Sequence, residues 1–482
     1  MRDFGATGDD SSDDSGAVQA AMKEAQASRA PATIYFPAGE YRVRGGVIVV
    51  DEGTPLLIRG DGAGATRISF LAGDTSSDPL VSVNAAYSAV EALRLDGGGA
   101  RNGAALLALN QAYTRVDGCV LTHAPGTALA IGESGPALVH AIENVIIRDA
   151  GQYGIHVFGT VAGHAGGSTD GLWSNVDVGR SGLSGVFLES SSQNLSNVHV
   201  WQSGTDRNAG DDRHGFRVTS RSHILNGCQA ETNLGDGIRF ENGGGDHSVV
   251  SAGRVWQNGG SGLVGINTHF LTITGCSFTQ NGRANVGDAA SKSATSAAAI
   301  RNEGGGGWAI TGCSAWDDEQ PLKEVKSPAP TDGATIPSRG KQRTQTFAYV
   351  STGKADDSVL TGGVCCAEDT LSGASILSES TRLRVCGTDL GADTVPQIST
   401  MATLTLPPWG STVRLAGAGQ ISRIEPSYAG RVVNILLPAG ATVTISAKNP
   451  ALLLAADLTA SGGGCITLVC SGDVWHEISR TA

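Results

Sequence analysis

The sequence predicts an all-β fold: a right-handed parallel β-helix with an N-terminal capping helix and a smaller C-terminal β-sandwich-like domain. The main observation is a phrase that recurs between residues 151 and 282, in which a polar turn leads to a glycine and then to an apolar residue that opens a short alternating run. Subtracting neighbouring glycine numbers gives spacings of 31, 30, 22 and 25 residues for Gly154, Gly185, Gly215, Gly237 and Gly262. Such units bury their apolar faces only against their neighbours, which is the signature of a solenoid.

Composition supports the same fold. The chain has 482 residues, of which 68 are Gly and only 3 are Met, and 17% of the residues are charged. Abundant glycine suits the tight corners of a coil, where positive φ is needed. Short strands between turns rich in Gly and Asn, with no helical period, favour a β-helix over a helical or leucine-rich array.

The net charge of −12 argues against a nucleic-acid partner, which usually needs a basic face. An anionic polysaccharide stays compatible with the charge, because a local basic row can lie on an acidic protein. The sequence has neither a signal peptide nor an apolar run of about 18 residues, so we expect a soluble chain without a membrane partner.

The nine cysteines are predicted to be free thiols. Four of them directly follow a glycine in similar phrases and should stack inside successive coils as small apolar side chains, namely Cys119, Cys228, Cys276 and Cys313. No CxxC pairs with metal-site spacing are present. Cys465 and Cys470 are five residues apart in a strand-like run and should point to opposite faces.

The N-terminal region carries a family resemblance. The segments Arg2 to Asp10, Asp13 to Ser15 and Thr33 to Val43, with a helix-like segment between them, resemble the opening of pectate-lyase-like β-helix proteins. That family includes phage tailspikes, polysaccharide lyases and hydrolases, and mannuronan C5-epimerases. The resemblance implies a polysaccharide-active β-helix protein, and an extracellular or virion-associated one.

The helix-like segment from Ala17 to Ala27 is predicted to cover the first coil, whose open edge would otherwise invite strand pairing. Asp14 or Ser15 can form its N-cap, and one helical face is apolar, with Val18, Ala21, Met22 and Ala25. We expect no cofactor. The one alternative left open is Ca²⁺ at an acidic cluster, where solvated turn and helix-start charge is the favoured interpretation, with Asp9, Asp10, Asp13 and Asp14.

Coils are predicted over residues 1–393, with a projecting loop at about 316–342, where prolines, lysines and acidic residues replace the periodicity. Residues 394–482 form the predicted C-terminal domain, with longer apolar strands from Ile398 onward. Its end, Gly472 to Arg480, looks like the tail of many phage and prophage β-helix proteins. The resemblance implies a module for trimerisation or carbohydrate binding.

Strand alternation places a groove on one face. If the apolar residue after each glycine points inward, the next points outward, and successive coils present the row His156, Phe187, Arg217, Arg239 and Val264. A second row two residues later contains Glu189, Thr219, Glu241 and Ile266, and the preceding turns add Asp211, Asp212, Arg213, His214 and Asp236. Arginines one coil apart can each bind a carboxylate bidentately, which suits uronate units.

The predicted substrate-binding residues are therefore Arg217, Arg239, Glu189, Glu241, Phe187 and Asp236. For any single residue a solvated ion pair is the favoured interpretation, whereas the convergence of His, Arg, Asp and an aromatic within adjacent coils favours function for the cluster as a whole.

The segment from Asp212 to Ser220, followed by His223, looks like the coil of mannuronan C5-epimerases that borders the substrate groove. Tyr153 and the two residues after it match the Tyr-Gly-Phe of that family, whereas its Asp-Pro-His-Glu signature is replaced by His156-Val157-Phe158-Gly159. The resemblance implies Tyr153 and His156 as an acid/base pair and Arg213 as a carboxylate neutraliser. The predicted catalytic set is Tyr153, His156, Asp212, Arg213 and His214.

Three function classes follow. A lyase or epimerase would abstract the proton beside a uronate carboxylate. A glycosidase would use paired carboxylates, for which Glu189, Asp212 and Glu241 are candidates, and a tailspike module would bind polysaccharide without turnover. We predict a lyase or depolymerase that acts on an acidic polysaccharide, with hydrolase, epimerase and binding module as alternatives.

The resemblance to tailspikes also predicts a homotrimer held partly by the apolar strands after Ile398, because closed symmetric assembly would bury them. Light scattering at micromolar concentration should give three times the mass of the chain. A monomer under those conditions would contradict this prediction.

Overall fold

The computed structural model describes residues 1–159, 167–206, 208–283, 297–317, 321–322, 339–341, 344, 348–352, 357–365, 376–378, 383–386, 397–406, 412–427, 429–447 and 451–481. Its long body is a stack of coils with three parallel faces, so the predicted parallel β-helix is confirmed. Each coil contributes one short strand to each face, and every ladder along the stack is parallel.

We name the faces A, B and C in the order in which each complete coil visits them, beginning with Ala32–Phe36. Face A consists of Ala32–Phe36, Leu56–Gly60, Ala89–Glu91, Arg115–Asp117, Ala141–Glu143, the first half of Leu172–Gly179 and of Asn194–Trp201, Ile224–Asn226, Val249–Ser251, Thr272–Thr274, Ala309–Thr311, Val359–Thr361 and Arg384–Cys386. Face B consists of Asp9–Asp13, Gly39–Val43, Thr66–Phe70, Arg94–Asp96, Val120–Thr122, Ile146–Arg148, the second half of the same two long strands, Gln229–Glu231, Arg254–Trp256, Ser277–Thr279, Ser314–Trp316 and Val364–Cys365.

Face C, which carries the residues of interest, has twelve strands in simple sequence order. They are Ile48–Val50, Val81–Val83, Leu107–Leu109, Leu129–Ile131, Ile155–Val157, Val186–Leu188, Phe216–Val218, Ile238–Phe240, Leu263–Ile266, Ile300–Glu303, Tyr349–Ser351 and Ile376–Ser378.

The recurring glycine phrase marks the start of each central strand of face C. The apolar residue after the glycine is buried in every case and aligned with its counterparts in register, as predicted, at Ile155, Val186, Phe216, Ile238 and Leu263. The glycine is required by close packing: a Cβ at Gly154 would overlap Val178 and the Gly185 carbonyl oxygen of the next coil.

The N-terminal cap is a helix from Ser15 to Ala27, preceded by a short 3₁₀ helix at Arg2–Phe4. Its buried face contains Val18, Ala21 and Met22, with Ala25 packed against the same core, as predicted. Asp14 occupies the N-cap position, but its carboxylate binds the Thr7 and Gly8 main-chain N–H groups instead of capping the helix. A side chain that joins two segments has thus taken the place of a local cap.

The predicted projecting loop and the predicted boundary at 393 lie mostly outside the described residues. Between the strands that end at Trp316 and begin at Tyr349, the structure shows one antiparallel pair, Pro321–Leu322 with Arg339–Lys341. The C-terminal part is a mixed seven-stranded sheet of Gln397–Ser399, Thr412–Ala416, Gly419–Ile421, Val432–Ile445, Leu452–Leu453, Leu458–Cys470 and Trp475–Thr481, together with a pair formed by Thr403–Leu404 and Arg423–Ile424. Its buried residues form a core separate from that of the coils.

The cysteines agree with their predicted role where they are described. Cys119, Cys228, Cys276 and Cys313 are all buried and free. Burial raises the pKa of Cys119 and Cys228 to about 12, so both stay as uncharged thiols. Cys470 is buried whereas Cys465 is half-buried, consistent with opposite faces.

Two histidines are buried in the turns that connect face C to face A. His140 Nδ1 donates to the Ala137 carbonyl oxygen at 2.8 Å, and its Nε2 accepts from Trp173 Nε1 at 3.2 Å. His223 Nδ1 accepts from the Gln193 N–H at 3.3 Å. Burial lowers the pKa of each ring to about 4, so both rings are neutral in the folded protein near neutral pH.

These rings should make the fold sensitive to mild acid. An unfolded histidine titrates near 6.5, so between about pH 6.5 and about pH 4 only the unfolded chain binds the proton. The free energy of unfolding is then highest above pH 6.5 and falls by about 1.4 kcal/mol per pH unit for each ring as the pH drops through that window. Urea unfolding at pH 7, 6 and 5 measures the slope. The variant His140→Asn should be less stable at every pH, but its free energy of unfolding should fall less steeply with pH than that of the wild-type protein. An unchanged slope would contradict the conclusion that His140 is buried and neutral.

Candidate functional site

The predicted outward row on face C is in register. His156 lies beside Phe187, Phe187 beside Arg217, Arg217 beside Arg239, and Arg239 beside Val264. The row is less open than alternation alone suggested, because His156, Phe187 and Val264 are buried and only the arginines are partly exposed. The second row, Glu189, Thr219, Glu241 and Ile266, is half-buried throughout.

His156 is held between two aromatic rings and a carboxylate. Its ring stacks on Phe158 and Phe187, with centroid distances of 3.8 and 4.7 Å. Its Nε2 lies 2.9 Å from Glu189 Oε2, and since a carboxylate only accepts, the ring nitrogen is the donor. That hydrogen bond is the main cause of the lowered pKa of Glu189. The pair is therefore a histidine oriented by an ionised carboxylate.

Tyr153 stands next to this pair, with its ring centroid 4.8 Å from that of His156. Its hydroxyl donates to Asp212 Oδ2 at 2.5 Å, and Ser184 donates to the other oxygen of Asp212. Burial, and then the hydrogen bond to Asp212, raise the pKa of Tyr153 well above its ordinary value. The phenol is thus kept protonated near neutral pH.

Arg217 and Arg239 join the site's carboxylates. Arg217 donates to Asp212 at 2.9 Å and to Glu241 at 3.1 Å, and its guanidinium lies 4.5 Å from the Phe187 ring centroid. Arg239 donates to Glu241 at 2.7 Å and to Asp236 at 2.9 Å. The two arginines were predicted to be free for substrate carboxylates, but two N–H groups of each are already used by the protein.

His214 and Arg213 differ from the rest of the predicted catalytic set. The His214 side chain is 4% exposed, its Nδ1 accepts the Asp236 N–H at 3.0 Å, and burial lowers its pKa. It therefore supports the next coil and does not open onto face C. The Arg213 side chain is half-buried, and its main chain packs against Gly204 and Gly235.

A polar cleft of about 330 Å³ adjoins Glu189 where the face C strands end. Serine, threonine, asparagine and glycine form most of its wall, and Arg221 contributes a cation. Sequence reasoning missed this cleft and also Phe158. Their positions in the sequence could have indicated them, because Phe158, Ser190 and Arg221 lie in the turns directly after the strands that carry the predicted residues.

The N-terminal acidic cluster is used for other contacts. Asp10 binds Arg42 and Arg67, Asp13 binds Arg44, and Asp9 accepts from Ser11 and Ser12. Across the described parts of the chain, no group of three or more His, Cys, Asp or Glu is arranged to hold a metal ion. Within the same residues, no helix is long and apolar enough to cross a membrane.

Two family descriptions match the chain. Residues 1–91 match "Rhamnogalacturonase A/epimerase, pectate lyase-like". Residues 104–314 match "Right handed beta helix region". The second match spans all the residues of the site described above.

Individual relatives are similar over part of the chain. Mannuronan C5-epimerase AlgE5 of Azotobacter vinelandii is 28% identical over 299 residues, which are 57% of this chain and 26% of the relative. Alginate lyase 7 of the same organism is 40% identical over 77 residues, 15% of this chain and 9% of the relative. The matched part of the chain thus spans between 14% and 26% of the length of the epimerase relatives. Among solved structures, the A-module of mannuronan C-5 epimerase AlgE4 from Azotobacter vinelandii is 16% identical with a TM-score of 0.56, covering 81% of this chain and 96% of that one; this likeness concerns the fold.

The contacts of Arg217 predict a stability effect. In Arg217→Ala, Asp212 and Glu241 keep their negative charges at 15% and 14% side-chain exposure but lose one arginine. Breaking an exposed ion pair costs about 1 kcal/mol or less, and breaking a buried one costs about 3–5 kcal/mol. We expect the fall in the free energy of unfolding to lie between these two values. Urea unfolding measures it. The matched control, Arg115→Ala, removes an arginine with 45% exposure from three carboxylates on face A and should cost about 1 kcal/mol or less. Equal losses in the two variants would show that the face C network behaves as surface charge.

Proposed function

Since the chain belongs to the pectate-lyase-like superfamily of right-handed parallel β-helices, we propose that it is a polysaccharide-active enzyme whose site lies on face C. The proposed reaction is that of a lyase: abstraction of the proton beside the carboxylate of a uronate unit, followed by cleavage of the glycosidic bond. The observation that carries the proposal is the meeting of the His156–Glu189 and Tyr153–Asp212 pairs. These pairs supply a base and an acid 4.8 Å apart, measured between ring centroids.

His156 is the proposed base. With its Nε2 proton donated to Glu189, the neutral ring has Nδ1 left as proton acceptor. Glu189 holds this tautomer and stabilises the imidazolium that forms when the proton arrives, as a carboxylate partner does in other general-base pairs. Glu189 is therefore a positioning residue in this scheme.

Tyr153 is the proposed acid. When His156 takes the proton at C5, the electron pair forms the C4–C5 double bond, the C4–O bond breaks, and the leaving oxygen takes the phenolic proton. Asp212 accepts the Tyr153 hydrogen bond before the reaction and fixes the ring's position. Arg217 has five N–H donors, of which the protein uses two. The remaining donors can stabilise charge that develops on the substrate carboxylate.

Hydrolysis by paired carboxylates fits the site less well. A glycosidase needs one carboxylic acid with a raised pKa, whereas the pKa of Glu189 is lowered. Asp212 and Glu241 each accept hydrogen bonds from Arg217, an arrangement that suits a charged carboxylate. Neither pattern provides the protonated acid.

Epimerisation is the second candidate. It begins with the same proton abstraction, and Tyr153 would then return a proton to C5 without breaking the chain. The specific observation in its favour is the similarity to mannuronan C5-epimerases over 57% of this chain. The two candidates differ only in the atom that receives the second proton.

An assay in D₂O separates the candidates. The protein is incubated with polymannuronate, alginate, polygalacturonate and a neutral glucan, and three signals are followed: unsaturated uronate absorbance, reducing ends, and deuterium at C5 by NMR. A lyase gives both unsaturated uronate absorbance and new reducing ends on a uronate polymer. An epimerase gives deuterium without new ends. Reducing ends without unsaturation would mean hydrolysis, and binding without any of the three signals would mean a non-catalytic module.

The acid/base assignment predicts the behaviour of two variants. Tyr153→Phe should lower kcat by about 10²- to 10⁴-fold, because a positioned proton donor contributes that much. Glu189→Gln should lower kcat, because the imidazolium that forms on His156 loses its carboxylate partner. The matched control Glu143→Gln changes an exposed carboxylate on face A and should leave kcat unchanged. Near-normal turnover in Tyr153→Phe would contradict the proposed acid.

A further inference from the structure

The cleft beside Glu189 differs in chemistry from the rest of face C. It holds about 330 Å³ and is built from the turns that follow four consecutive face C strands. Its described wall contains only two charged side chains, Glu189 and Arg221. Neutral hydroxyl and amide groups occupy the space between them, at Ser190, Ser191, Thr219 and Asn242. A wall of this kind offers hydrogen bonds to sugar hydroxyls and one cation to an anion.

Arg221 is placed differently from Arg217 and Arg239. Those two arginines are half-buried and bind carboxylates of the protein. Arg221 is exposed, and no carboxylate of the described residues pairs with it. Its guanidinium is therefore not neutralised by any carboxylate of the described residues. An exposed arginine of this kind is suited to bidentate recognition of a carboxylate.

The main chain around Arg221 is held rigidly in the stack. The Arg221 carbonyl oxygen accepts the Ser192 N–H at 3.2 Å, and the Ser222 N–H donates to the Asp246 carbonyl oxygen at 2.9 Å. Ser222 has a φ of 64°, so the turn is tightly defined. The base of the Arg221 side chain is thus tied to the neighbouring coils on both sides. Less ordering entropy is lost when a ligand binds to a group on such a fixed base.

We propose that this cleft is the subsite that selects a uronate unit, with the Arg221 guanidinium binding the sugar's carboxylate. The proposal rests on the proposed function and deepens it. Glu189 forms the other charged part of the wall and binds His156, so a sugar in the cleft lies beside the proposed base. A neutral sugar of the same shape would leave Arg221 without a counter-charge and would bind more weakly.

The test measures affinity by calorimetry for two probes: an oligomannuronate, and the same oligosaccharide with its carboxyl groups reduced to primary alcohols. The wild-type protein should prefer the uronate. Arg221→Gln should weaken uronate binding by about ten- to a hundred-fold, the cost of a charge-assisted contact, and should leave the affinity for the reduced probe nearly unchanged. Arg221→Lys should recover part of the preference, because it restores the charge without the bidentate geometry.

Arg59→Gln is the matched control, since Arg59 is another exposed arginine but lies on face A. It should change neither affinity, and neither arginine variant should shift the thermal midpoint. An equal loss for both probes in Arg221→Gln would overturn the assignment, because Arg221 would then bind hydroxyl groups. Unchanged uronate affinity in Arg221→Gln, with turnover still lost in Tyr153→Phe, would remove the subsite and leave the proposed function standing. Absence of uronate binding in the wild-type protein, with no deuterium exchange on any uronate polymer, would overturn both.

Discussion

Main-chain hydrogen bonding between consecutive coils is the constraint on which the site depends. The Ile155 N–H donates to Gly185, the Val186 N–H to Gly215, and the Phe216 N–H to Gly237, all at 2.9 to 3.0 Å. Each bond sets one strand of face C opposite the next without a shift. Since side chains in a strand alternate between faces, a slip of one residue in any coil would exchange the core and the site. The site's geometry therefore follows from the hydrogen bonds that these strands donate to the glycine carbonyl groups of the next coil.

Charge balance is the second organising feature of face C. Arg217 and Arg239 stand on adjacent strands and share Glu241, and each binds one further carboxylate from the preceding turn. These contacts are made in a partly buried setting, where an unpaired charge is costly. The protein thus uses its two central arginines to hold a network together. Arg221 lies in a turn outside this network and is exposed.

The two pairs at the centre of the site differ in what their carboxylates do. Glu189 accepts from an imidazole and is held ionised by it, whereas Asp212 accepts from a phenol and contributes to keeping that phenol protonated. Acid/base sites typically keep one of two neighbouring groups ionised and the other protonated, because the surroundings of the two groups shift their pKa values in opposite directions. Both pairs join residues from different coils, at sequence separations of 33 and 59. They exist only because the coils stack.

The sequence alone determined the parallel β-helix, its capping helix, the inward direction of the Ile155 and Phe216 side chains, and the free buried cysteines. Each of these follows from local periodicity or from residue size, which are properties of short segments. The tertiary structure decided which outward residues are open: Val264 is buried, His214 is buried under the next coil, and Arg217 is bound by two carboxylates. The 330 Å³ cleft and the position of Arg221 in its wall also appear only in the folded chain. Alternation fixes the direction in which a side chain leaves the strand, but its exposure and its partners depend on turns from neighbouring coils, whose lengths vary without a period.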